Sequence, residues 1–186
     1  MLYFKHLYLL PLAVLLFGAS LILGPVSKPA SAQDSEVTTK SVKDWIVRCV
    51  ERGNLPPCDA VQSISSNQTG ERVMLTSIAY LGESTQIGVQ IWVQTGVLVS
   101  AGVIVEVDEK ETVLKDLQFT RCEAEGCFIE AIVTEDALTP LKKGSNAAVA
   151  ILASTGQPRV IGLSLSGFTQ ALSEVKEANT AWFEAQ

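Results

Sequence analysis

The chain has 186 residues, a net charge of −6, 47% hydrophobic residues, four cysteines and one histidine. That charge excludes a broadly basic, nucleic-acid-binding surface, and the largest basic cluster is the pair Lys142-Lys143. The lone imidazole, His6, lies in an N-terminal segment read below as removable, which excludes Ser-His-Asp and Cys-His catalysis and histidine-bearing zinc sites from the rest.

Met1 to Tyr8 carries Lys5 and His6 and no acid, and an apolar run follows from Leu7 to Leu23. Gly24-Pro25 ends the run, and Ala30-Ser31-Ala32 sets small residues at the positions a signal peptidase reads. Residues 1–32 therefore read as a signal peptide cleaved between Ala32 and Gln33. An uncleaved anchor is the rival reading, since a run of about 17 residues is the lower limit for a spanning helix. Removal leaves 154 residues with 12 basic and 20 acidic side chains and no later segment apolar enough to span a bilayer. Residues 33–42 are polar and read as a flexible leader.

The domain from residue 43 to 186 reads as a series of short strands. Asp44–Val50 alternates, with Trp45, Val47 and Cys49 on one face, and Cys58–Ser65 alternates again after Pro56-Pro57. Arg72–Leu81 and Thr85–Val93 are joined by a short loop and should pair as a hairpin. Val97–Val107 is apolar with a bend at Gly102, and Asp108 to Glu111 is a charged turn. Leu117–Cys122 and Cys127–Val133 follow, then a short helix within Glu135–Lys143, then strands Ala147–Ala153 and Arg159–Leu165. Gly167–Trp182 has helical spacing of Phe168, Ala171, Leu172 and Val175, with Ser166 placed to cap it. Strand following strand without βαβ alternation predicts an all-β antiparallel sandwich or barrel with a short C-terminal helix.

Four cysteines in an exported chain read as two disulfides rather than a metal or redox site, because C-x-x-C spacing is absent. The near pairing, Cys49 with Cys58 and Cys122 with Cys127, is favoured over cross-pairing because each short polar loop can close a hairpin mouth.

The stretch Trp45-Ile46-Val47-Arg48-Cys49, followed by Pro57-Cys58 and Gln62, resembles the start of the invasion-associated locus B (IalB) family. Gly96-Val97 before Gly102-Val103, the pairs Arg121-Cys122 and Gly126-Cys127, and the tail Ser164 to Leu172 are similar to later parts of that family. The resemblance runs from about Lys43 to Leu172, with Thr95 where the family usually has proline. It implies an exported bacterial protein with an immunoglobulin-like β-sandwich, in the periplasm or on the surface of a Gram-negative cell. It also implies, for some members, a part in invading host cells, and it carries over no catalytic or binding residue.

Chemistry-bearing motifs are sparse. Asn67-Gln68-Thr69 reads as a turn, and Asp108, Glu109 and Glu111, like Glu123 and Glu125, lack the spacing of a calcium loop. Glu106 and Glu130 interrupt apolar strands and are candidates for a carboxylate pair, although outward-facing strand positions explain them more simply. Trp182 and Phe183 form a candidate partner patch if exposed. Three functions follow. The first is a non-catalytic binding module without cofactor, metal or nucleic-acid partner. The second is an envelope structural or stress protein, and the third is a carboxylate-only glycan hydrolase.

Overall fold

Backbone pairing, joined in many of the strands by alternating burial along short β-branched segments, builds eleven strands among the residues that the computed structural model describes, 36–82, 86–109 and 111–186. The expected cleavage site at Ala32 and Gln33 lies outside them. The strands are β1 (Thr38–Val42), β2 (Trp45–Cys49), β3 (Cys58–Ser65), β4 (Arg72–Tyr80), β5 (Gln86–Val93) and β6 (Val103–Val107). Then follow β7 (Glu111–Leu117), β8 (Phe119–Cys122), β9 (Cys127–Thr134), β10 (Asn146–Leu152) and β11 (Pro158–Ser164). Helix α1 (Thr139–Lys143) precedes β10, and α2 (Phe168–Glu184) closes the chain.

All pairings are antiparallel and form two sheets, β1-β2-β3-β4-β5-β9-β8 and β11-β10-β6-β7. One core joins their inner faces, from Trp45, Ile87 and Ile91 on the larger sheet to Val105 and Val149 on the smaller and Phe168 and Leu172 on α2. The fold is thus the all-β sandwich with a C-terminal helix, and α2 covers the β1–β4 part of the larger sheet.

Four local expectations are corrected. Residues 38–42 form β1 rather than part of a flexible leader. Four of its five residues are exposed, so backbone pairing to β2, and no apolar alternation, defines it. The run Val97–Val107 is not one strand, because a 3₁₀ turn at Val99–Ala101 and Gly102 at φ 70° divide it. Strand β7 has no counterpart in the sequence reading, since bulges and Asp116 at φ 59° break its alternation. Ser166 does not cap α2. Gly167 takes that place at φ 88°, where an added Cβ would also lie 2.3 Å from the Val42 carbonyl oxygen.

Buried polar groups tie the layers. The Gln62 side chain lies under the inner face of β3, where Nε2 donates to the carbonyls of Asp44 and Ser164 at 3.1 and 3.0 Å. Its Oε1 accepts from Ser164 N at 2.9 Å, and the Trp45 indole N–H donates to the same Ser164 carbonyl at 2.9 Å. This cluster holds the start of β2 to the end of β11. Asn179, fully buried on α2, accepts from Cys58 N and donates to the carbonyls of Cys58 and Tyr80. Each of these long-range ties satisfies groups whose desolvation would otherwise cost about 1–3 kcal/mol.

Thr76 is the contrasting case. Its hydroxyl is buried without a hydrogen-bond partner and faces a 20 Å³ cavity lined by Ile78, Val89, Val149 and Leu163. Thr76→Val keeps the shape and removes the unmatched hydroxyl, so it is expected to stabilise the domain by about 1 kcal/mol, read as a higher urea midpoint at unchanged slope.

Candidate functional site

Disulfides Cys49–Cys58 and Cys122–Cys127 each join directly opposed residues at a hairpin mouth. The first closes the β2–β3 hairpin and fixes its register, so that Arg48 stands opposite Asp59. Both side chains then point away from the core, on the outer face of the seven-stranded sheet. Further along that face, Ala79 is opposite Gly88, and Gly88 is opposite Ile132. The neighbouring row runs Val61, Ser77, Gln90, Glu130.

Small side chains in the centre of a sheet leave a depression. Here Ser77, Ala79 and Gly88 floor an open groove of about 650 Å³. Leu81 folds over Gly88 at one wall, where an added Cβ would sit 3.0 Å from its Cδ1. Ile132, 66% exposed, stands at the other side of the floor.

The β2–β3 end of the groove is charged and ordered. Asp59 is only 1% exposed, and Arg48 Nε donates to its Oδ1 at 3.0 Å while Nη2 reaches Oδ2. Ser77 Oγ donates to Oδ2 at 2.7 Å, and Arg52 Nη2 lies 3.1 Å from Oδ1. Burial pushes the Asp59 carboxyl up, but hydrogen bonds from Arg48 and Ser77, with the charges of Arg52 and Arg48, outweigh it and hold the group below its ordinary value. The hydrogen bond to Asp59 holds the Arg48 guanidinium above its ordinary value despite partial burial. Two guanidinium groups thus share one carboxylate, leaving a fixed excess of positive charge with spare N–H donors.

The β9 end is a second network. Glu130 accepts from Arg121, Gln90 and Thr120, and the Arg121 hydrogen bond foremost holds its carboxyl below the ordinary value. Arg121 also pairs with Glu123 and lies 3.9 Å over the Phe128 ring. Arg72 reaches toward Trp92 at 6.0 Å. Of the five arginines after residue 32, four gather on this face. The described lysines lie elsewhere. Lys40 pairs with Glu174 on α2, Lys43 is in the β1–β2 turn, Lys115 is on β7, and the rest are on α1 and α2. Arginine and aromatic residues without lysine are the composition of protein-binding surfaces.

The residues singled out from sequence fare differently. Glu106 and Glu130 are not brought together, because Glu106 lies on the outer side of β6 in the smaller sheet and Glu130 on the outer side of β9 in the larger. Trp182 and Phe183 are both half-buried, with ring centroids 4.9 Å apart. Trp182 borders a shallow cleft beside Cys49 and Pro57. Asp108 anchors the Ser145–Asn146 backbone, accepting from both amides. The groove itself was missed. Its signal was present, since pairing Cys49 with Cys58 places Arg48 opposite Asp59 by counting alone.

The family described as Invasion associated locus B (IalB) protein matches residues 45–176, which include the β2–β3 hairpin, the groove floor and most of α2. The "Invasion protein B homolog" of Brucella abortus strain 2308 is 28% identical over 159 residues, covering 85% of this chain and 88% of that one. The protein of the same name from Brucella abortus biovar 1 strain 9-941 matches to the same extent. The crystal structure of invasion associated protein B from Bartonella henselae superposes with a TM-score of 0.66 at 21% identity, over 75% of this chain and 96% of that one, and shares the fold. The family match spans residues 45–176, well over half of the chain, and the chain belongs to the invasion-associated locus B family.

Proposed function

We propose that the protein is an exported binding module of the bacterial envelope that recognises its partner on the outer face of the seven-stranded sheet and has no catalytic role. The observation that carries this reading is the groove, where a buried carboxylate holds two arginines in place beside an open apolar floor. Side chains already ordered in the free protein lose little entropy when a partner arrives. Two disulfides among the described residues fit an oxidising compartment, the periplasm or the outer surface of a Gram-negative cell. In a host-associated bacterium the same module would support invasion of host cells, as the names of the Brucella and Bartonella relatives suggest for those proteins.

The test is photo-crosslinking in the envelope, with the full-length chain expressed and crosslinkers placed around the groove. A discrete crosslinked partner that Gly88→Leu removes is the expected result. Steady turnover of a substrate by the purified protein would overturn the reading. An envelope protein without a dedicated ligand would give no discrete crosslink. A glycan hydrolase built on Glu106 and Glu130 is disfavoured by their placement on opposite sheets.

A further inference from the structure

We infer that the occupant of the groove is an extended polypeptide segment, acidic at the end that meets Arg48 and Arg52 and apolar where it crosses Ala79 and Gly88. This rests on the reading of the groove as a binding surface.

The charge pattern sets the direction. At the β2–β3 end two guanidinium groups face one carboxylate, and at the β9 end Arg121 faces both Glu123 and Glu130. The groove is therefore positive at one end and lined at the other by Gln90 and the Arg121-paired Glu130 carboxylate, which offers hydrogen-bond acceptors, with uncharged small residues between. A segment with carboxylates first, apolar side chains next and hydroxyl or amide donors last matches that order. Arginine suits the first contact, because its planar fork meets a carboxylate with two parallel hydrogen bonds.

The dimensions agree. From β2 to β9 there are four inter-strand steps, about 19 Å at roughly 4.8 Å each. Six residues of extended chain cover about the same distance at roughly 3.3 Å per residue. The floor has only a methyl at Ala79, while Leu81 packs over Gly88, so an extended backbone can lie close to the sheet at Ala79 while its apolar side chains meet Leu81 and Ile132.

Other occupants fit less well. Among the described residues no aromatic ring lines the groove, so a sugar ring finds no face there to stack on. The groove is open, so an acyl chain would remain exposed to water. An anionic membrane surface would meet the whole field of a domain with 20 acidic and 12 basic groups, whereas a short segment meets the local one.

The experiment is calorimetric titration of the purified protein with a capped hexapeptide, Glu-Glu-Leu-Leu-Ser-Ser, and with its Gln-Gln-Leu-Leu-Ser-Ser counterpart. The glutamate peptide should bind about tenfold tighter than the glutamine one. Arg52→Gln should erase most of that difference while Arg48 still holds Asp59, and Gly88→Leu should abolish binding of both peptides. Thermal unfolding of each variant checks that the fold is intact. Equal affinity for the two peptides, absence of binding, or a sulfated oligosaccharide that competes on equal terms would each overturn the assignment. If the peptides fail to bind but Gly88→Leu still removes the envelope crosslink, only the occupant is wrong. If the crosslink survives Gly88→Leu, the groove is not the binding surface.

Discussion

Trp45→Ala is expected to lower the stability of the domain by about 3–5 kcal/mol, the range for removing a fully buried large aromatic side chain. Trp45 has no exposed surface, its ring centroid lies 5.1 Å from that of Phe168, and its N–H bonds the Ser164 carbonyl. Alanine therefore empties a site shared by β2, β11 and α2. Trp45→Phe separates the two contributions, because it keeps most of the ring contact and loses the hydrogen bond, at a cost of about 1–2 kcal/mol beyond the change in volume. Urea denaturation of the three proteins gives both numbers. A loss below about 2 kcal/mol for the alanine variant would show that the junction repacks around the missing ring.

Arg48→Ala is expected to cost about 2–3 kcal/mol at neutral pH, somewhat below the roughly 3–5 kcal/mol of breaking a fully buried ion pair. The value is moderated because Arg48 is partly exposed and Arg52 and Ser77 still serve Asp59. The pH dependence identifies the cause. In the wild type the Asp59 carboxyl is held below its ordinary value of 3.8. Its contribution to stability is complete above that value and is lost as pH falls through the lower folded one. Without Arg48, burial acts against fewer opposing partners and the folded value rises. The destabilisation relative to wild type should then shrink on acidification, once Asp59 is protonated in both proteins. Chemical denaturation between about pH 7 and pH 3 measures this, and a pH-independent difference would assign the effect to lost packing instead.

Much of the fold was legible because burial and periodicity coincide in most strands. β3 runs from Cys58 to Ser65 as the alternation predicts, and β4, β5 and β9 differ from the sequence reading by a residue at one end. The illegible elements are those in which backbone pairing acts without a matching side-chain pattern. β1 is an exposed edge, and β7 is interrupted by bulges. The candidate site was harder for a different reason. A groove is defined by what is small, and Ser77, Ala79 and Gly88 carry no chemical signature until the register places them side by side. Asp59 read as an ordinary outward residue of an alternating strand. Only the arginines folded over it make it a buried charge.

The ties between β2, β3 and the C-terminal part of the chain span long stretches of sequence, with Gln62 and Ser164 102 residues apart and Cys58 and Asn179 121 apart. Contacts of this range are the slowest to form, because a long loop must close before they repay its entropy. A nascent chain that emerges N-terminus first has β2 and β3 available early but cannot seal their inner face until α2 arrives. The core is then completed in a late step that needs nearly the whole domain. Until α2 docks, the apolar inner faces of β2 and β3 stay uncovered, which makes the unfinished chain prone to non-native association.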